Sequence, residues 1–165
     1  MNKSLCFVCP TDFLESVIDN HSLLDVNYYY TSLGNSVVFN TDTLDYIFQF
    51  IEKENITKIS FVLSDKNTII SDAIYQQAYH SLTGLRNFYD TISKDYLYKV
   101  TDKQAIASQI IQAFLKDKTL QLASELNKAF DQEITIEAKI YDSKEKSFVT
   151  IPTQNFLWRD IFSFN

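Results

Sequence analysis

Glycine and proline are nearly missing from this chain, with two of each in 165 residues. Slack linkers draw on those residue types, so long flexible connections are excluded and a single domain is expected. Cysteine is as scarce, with only Cys6 and Cys9. They lie three apart in an extended run, on opposite sides of a strand, so no bridge between them is expected. Clusters of Lys or Arg are missing, and the net charge is −6. Nucleic acid, which needs a basic face, is excluded as a partner. No apolar run approaches the length of a membrane span. The N-terminus, MNKSLCFVCPTDF, lacks a long apolar region and a small-residue cleavage site, so no signal peptide is read and the expected compartment is the cytoplasm.

What is present is apolar and aromatic. Hydrophobic residues make up 45% and charged ones 22%, as in a globular domain, and there are 13 Phe and 10 Tyr. Residues 4–9, SLCFVC, form a continuous apolar run without helical period, which predicts a strand buried on both faces. Pro10 ends it, and a helix follows with Thr11 or Asp12 as cap and Leu14, Val17 and Ile18 inward. Residues 26–30, VNYYY, predict a second strand. Leu33-Gly34-Asn35 predicts a turn with positive φ, a costly feature in a chain so poor in glycine. SVVF reads as a short extended piece. Residues 40–55 predict a helix with the stripe Leu44, Ile47, Phe48, Ile51 and cap candidates from Thr41 to Thr43.

Residues 58–63, KISFVL, predict another buried strand. Four polar residues follow, Ser64-Asp65-Lys66-Asn67, and then a helix with Ile70, Ala73, Ile74 and Ala78 on one side. A helical region over 80–100 is broken at Gly84. Thr101 to Gln104 resembles a capping box before a helix carrying Ile106, Ile110, Ala113 and Phe114. A further helix carries Leu120, Ala123, Leu126 and Phe130. Residues 134–141, ITIEAKIY, alternate as a half-buried strand, and SFVTI closes a hairpin with it. One domain over residues 1–152 and an aromatic tail over 153–165 are expected. The tail reads as a docked segment or, through Trp158 and Phe162, as a dimer contact.

This order of elements predicts an α/β fold with a mostly parallel sheet flanked by helices and a C-terminal strand hairpin. Ligands in such sheets bind at the C-terminal strand ends. Three loops should therefore converge: Cys9 to Asp12, Leu33 to Asn35, and Ser64 to Asn67.

Those loops, in that order, resemble the β-class carbonic anhydrases. That family has a strand ending in Cys-x-Asp-x-Arg, an Asn-Ala-Gly-Asn loop, a helix beginning near Ser-Leu-Glu-Tyr, and a strand ending in Gly-His-x-x-Cys-Gly. Here a strand ends at Cys9, Ser32-Leu33-Gly34-Asn35 looks like the glycine loop, and Thr43-Leu44-Asp45-Tyr46 looks like the helix start. The terminal hairpin resembles the family's closing strands, and the likeness covers roughly residues 4–151. The departures fall on the zinc ligands. The family's His and second Cys fall on Ser64 and Asn67, a neutral hydroxyl and a neutral amide, which are poor zinc donors. The Asp and Arg of the first motif fall on Thr11 and Phe13, with Asp12 one position away.

The resemblance therefore implies the fold and a former active-site pocket of Cys9, Asp12, Gly34, Asn35, Ser64, Asp65 and Asn67. It also implies loss of the zinc site, with no metal, no cofactor and no catalytic residue expected. A homodimer with a binding or interaction role, toward a small anion or a protein, is the leading expectation. The alternative is an enzyme with a rebuilt site. That site would be a metal centre of Cys9, Asp12, Asp65 and His80, a hard cation on Asp12 and Asp65, or a Cys9 nucleophile activated by a helix N-terminus. His21, beside Asp19 and Asn20, reads as a solvated surface residue.

Overall fold

The computed structural model of the chain describes residues 2–99, 105–130 and 133–152. Five strands form one sheet: β1 (Lys3–Val8), β2 (Val26–Thr31), β3 (Lys58–Ser64), β4 (Thr135–Asp142) and β5 (Ser147–Ile151). Their order is β2-β1-β3-β4-β5. The first four run parallel, and β5 returns antiparallel to β4 as the expected hairpin. Parallel pairing needs crossover connections. These run through α1 (Glu15–His21), α2 (Thr41–Glu54), α3 (Thr68–Tyr75), α4 (Arg86–Thr91) and α5 (Ile106–Ala129). After α4 the chain continues through a wider π-helical turn, Ile92–Tyr96.

The two sheet faces are unequal. On one, Leu5 and Phe7 of β1, Ile59, Phe61 and Leu63 of β3 and Ala138 of β4 pack under Ile47, Ile70, Tyr89, Phe114 and Leu122 from the helices. Phe7 and Phe61, opposite in register, stack at 4.6 Å, with Phe39 set edge-on against both. Cys9 lies in this core. Cys6 lies in the other, with Val8, Val62, Leu14 and Ile18. The two thiols are free and face opposite sides, as their spacing requires. Among the described residues, the seven-residue α1 is the one helix that contributes buried residues to the second face. Beyond it the same strands carry Ser4, Lys58, Ser60, Glu137 and Lys139.

Several local expectations are corrected. Thr11 and Asp12 do not cap α1; Leu14 occupies that position, after a 3₁₀ turn over Pro10–Asp12. SVVF, read as a short extended piece, lies outside the sheet. The cap of α2 is Asn40, which accepts the Thr43 amide at 2.9 Å. Helix α3 ends at Tyr75, leaving Ala78 exposed. The two helices read over 106–130 are one, Ile106–Ala129. The polar residues Lys116, Asp117 and Lys118 look like a break, yet the chain there holds no Gly or Pro and the buried stripe runs through Leu115, Thr119 and Leu122. Thr101 to Gln104 and the tail from 153, with Trp158 and Phe162, lie outside the described residues.

Lys118 explains the unbroken stripe. It turns inward, donates to the Val37 carbonyl at 2.5 Å, and lies 5.4 Å from the ring centres of Phe39 and Phe114. Burial pulls its pKa down to about 8. Between that value and the unfolded value of about 10.4, the unfolded chain binds more protons, so this lysine makes stability rise with pH across the window. The stability of the wild type minus that of Lys118→Met should climb by about 2 kcal/mol between about pH 7.5 and 10.5, after discounting for partial exposure. Urea unfolding at several pH values measures it, and a difference flat with pH would contradict the burial assigned here.

Candidate functional site

The three predicted loops meet at the C-terminal ends of β1 and β3. Strand β1 delivers Cys9, fully buried and still extended. Its sulfur accepts the Gly34 amide at 3.1 Å and lies 3.1 Å from the Thr11 hydroxyl. Gly34 has φ +60°, and a Cβ there would stand 2.9 Å from Cζ of Phe88 and 3.1 Å from Cγ2 of Ile69. Glycine is thus required twice, for the left-handed backbone and for the close approach. Asn35, also left-handed and fully buried, donates its amide to the carbonyls of Phe7 and Val62, tying the ends of β1 and β3 together.

Asp12 is the hinge of the arrangement. One carboxylate oxygen accepts the Ser64 amide at 2.8 Å and the other accepts the Asn67 side-chain amide at 2.9 Å. Burial raises its pKa and outweighs those two bonds, which lower it. Asn67 is fully buried and caps α3, its oxygen accepting the Ile70 amide at 2.9 Å. Ser64 Oγ accepts the Lys66 amide at 3.1 Å and lies 3.3 Å from Asp65. Asp65 faces the hairpin turn, accepting the amide of Ser143 at 3.2 Å and its hydroxyl at 3.3 Å.

The structure therefore brings Cys9, Asp12, Gly34, Asn35, Ser64 and Asn67 into one hydrogen-bonded junction and turns Asp65 toward the hairpin. It does not bring His80 there; His80 pairs with Asp90 at 3.0 Å. His21 is exposed and stands edge-on to Phe148. Among the described residues no group of three or more His, Cys, Asp or Glu is placed to hold a metal ion. Sequence reasoning missed Thr68, whose hydroxyl donates to Thr11 at 3.2 Å, and the lining by Phe88. The cap role of Asn67 had a signal, an Asn directly before an apolar helical run. The Gly34 to Phe88 contact had none.

No protein-family model matches the chain, and neither does the sequence of any curated protein. Solved structures do match it. The wild-type β-carbonic anhydrase CafD of Aspergillus fumigatus superposes with TM-score 0.71 at 16% identity, over 92% of this chain and 90% of that one. One of two tetrameric β-carbonic anhydrases from Sordaria macrospora gives 0.65 at 12% identity, over 91% and 80%. A carbonic anhydrase from Streptococcus mutans gives 0.54 at 14% identity, over 90% and 81%. The fold is that of the β-carbonic anhydrases. At such identities the likeness establishes the fold and leaves activity to the residues present.

Those residues do not fit zinc. A zinc site needs thiolate, imidazole or carboxylate donors converging on one point. Here Cys9 is the one soft donor at the junction, and its sulfur is engaged by the Gly34 amide. Both polar atoms of the Asn67 side chain are committed to Asp12 and to Ile70. The Asp12 carboxylate is held by Ser64 and Asn67 on both oxygens.

Proposed function

We propose that this chain is a zinc-free protein on a carbonic anhydrase fold, without CO2 hydration activity, whose role is binding or interaction as a homodimer. The observation that carries the reading is the junction itself: Asn67 and Cys9 are fully buried, the Cys9 sulfur accepts the Gly34 amide, and both polar atoms of the Asn67 side chain are taken by Asp12 and Ile70. Zinc-dependent hydration needs a metal that lowers the pKa of bound water to about 7, and the present donor set offers no such centre. A Cys9 nucleophile is disfavoured by the same burial. The dimer is supported by fold relatives that include tetrameric enzymes. A cytoplasmic location remains the expectation from two free thiols. Among the described residues no helix is long and apolar enough to cross a membrane.

Metal analysis of the purified protein, with a CO2 hydration assay on the same sample, tests the proposal. The expected result is zinc far below one per chain and hydration at the buffer rate. Stoichiometric zinc that disappears on Cys9→Ser would overturn it. Sedimentation equilibrium of that sample checks the dimer, and a monomer would refute that part.

A further inference from the structure

The face of the sheet away from the Cys9 junction holds a cleft that the carbonic anhydrase comparison does not explain. Central strands of an α/β sheet are ordinarily apolar on both faces. Here β3, the middle strand, carries Lys58 and Ser60 on the α1 side, and β4 carries Glu137 and Lys139 beside them. Helix α1 packs on Val8 and Val62, and its end, at Ile18 and His21, forms one wall of this polar half. The result is a cleft of about 30 Å³ whose lining includes Ser4, Asp25, Lys58, Ser60, Glu137 and Lys139. Its enclosed part has room for about two waters, and the cleft is half open to solvent, so a larger ligand would lie across its mouth.

Its chemistry is one-sided in a specific way. The Glu137 oxygen Oε1 takes all three bonds, from Ser60 at 2.8 Å, Lys58 at 3.0 Å and Lys139 at 2.7 Å. Oε2 has no hydrogen-bond partner among the described residues. Burial alone would raise the Glu137 pKa; the three donors outweigh it and hold the carboxylate below its usual range. Each ammonium carries three N–H groups and spends one on Oε1. The nearly buried Ser4 hydroxyl has no partner among the described residues. Surplus cationic donors and an open anionic acceptor thus lie within one small cleft. A lone anion would meet Glu137 and Asp25, and a lone cation would meet two lysines. A molecule with an ammonium and a carboxylate a few bonds apart satisfies both sets at once.

We propose that this cleft binds a small zwitterion of the α-amino acid class, its carboxylate between Lys58 and Lys139 and its ammonium on the free side of Glu137. The buried thiol of Cys6 at the cleft takes no part; burial pushes it up to about 12. The proposal goes beyond the zinc-free reading and stands whether or not the Cys9 junction holds metal.

Glycine is the probe, titrated into ¹⁵N-labelled protein at constant ionic strength, with acetate and methylamine as its two halves. Glycine should shift the amides of residues 58–60 and 137–139 saturably, and each half should bind at least about tenfold more weakly. Lys139→Met should weaken glycine by about tenfold or more while leaving Glu137 bonded to Lys58 and Ser60. Glu137→Gln should do the same, and if it does not fold, Lys139→Met alone decides. No saturable shift, which means water only, would overturn the proposal. So would acetate binding as tightly as glycine, or Lys139→Met leaving the affinity unchanged. None of these outcomes depends on zinc content, so failure here is separable from failure of the proposed function.

Discussion

Asn67→Asp, a nearly isosteric change, is expected to destabilise the chain by about 2–4 kcal/mol at neutral pH. The Asn67 amide group now donates to Asp12 at 2.9 Å while its oxygen caps α3. Aspartate keeps the cap, and a carboxylate near a helix N-terminus is favourable there. What it loses is the donor. Two carboxylates then face each other at hydrogen-bond distance in a buried junction, and one must take up a proton or move. The deficit should therefore shrink as pH falls toward about 4, where a proton can be shared. The exchange Asp12→Asn with Asn67→Asp provides the control. The introduced asparagine would offer its oxygen to the Ser64 amide and its nitrogen to the introduced aspartate. That aspartate would in turn cap Ile70, so every bond is remade with the charge moved across the pair. The double variant should return to within about 1 kcal/mol of wild type, a large coupling in a double-mutant cycle. Urea unfolding of all four proteins measures it. If Asn67→Asp alone is as stable as wild type, the junction is not closed by the bonds described.

The same bonds bear on restoring the family's zinc ligand at this position. Replacing Asn67 with cysteine would remove the α3 cap and the donor to Asp12 together, so a thiolate at this position would come at the expense of the stability of the fold. Ser64 and Asn67 keep the spacing of two ligands and carry structural duties. The cap of α3 is a local duty and is legible in SDKNT as a sequence, whereas the bonds to Asp12 reach across more than 50 residues and are not.

The legible parts of the fold are those with strong local periodicity. The runs SLCFVC and KISFVL, the alternation of ITIEAKIY and the stripe of α2 each mark an element within a residue or two. The convergence of the three loops follows from topology. What escapes is set by contacts distant in sequence. Lys118 looks solvated in its own segment, because nothing nearby shows that Val37, Phe39 and Phe114 enclose it. Asp12 looks like a helix cap, since a capping aspartate and one that reaches 52 residues ahead to Ser64 are alike in a sequence. The polar half of the sheet's second face is masked in KISFVL because Lys58 and Ser60 alternate with fully buried Ile59 and Phe61.

Gly34→Ala should cost about 2–5 kcal/mol, and the way that cost divides tests whether the space beside Cys9 is filled. One part is backbone: φ +60° is left-handed, which costs an L-residue roughly 1–2 kcal/mol. The other part is steric. The new methyl would meet the tip of Phe88 at 2.9 Å, closer than a Cβ tolerates, and overpacking of this kind costs about 1–3 kcal/mol. Phe88→Leu removes that ring tip at its own expense in buried surface, but opens room for the methyl. The double variant Gly34→Ala with Phe88→Leu should therefore lose about 1–2 kcal/mol less than the sum of the singles, with the backbone part remaining. Denaturant midpoints of the four proteins measure the cycle. Strict additivity would mean that Phe88 does not press on the glycine loop. The loop beside Cys9 would then be loose enough to admit a small anion, and the role assigned to that junction would have to change from a structural closure to a binding site.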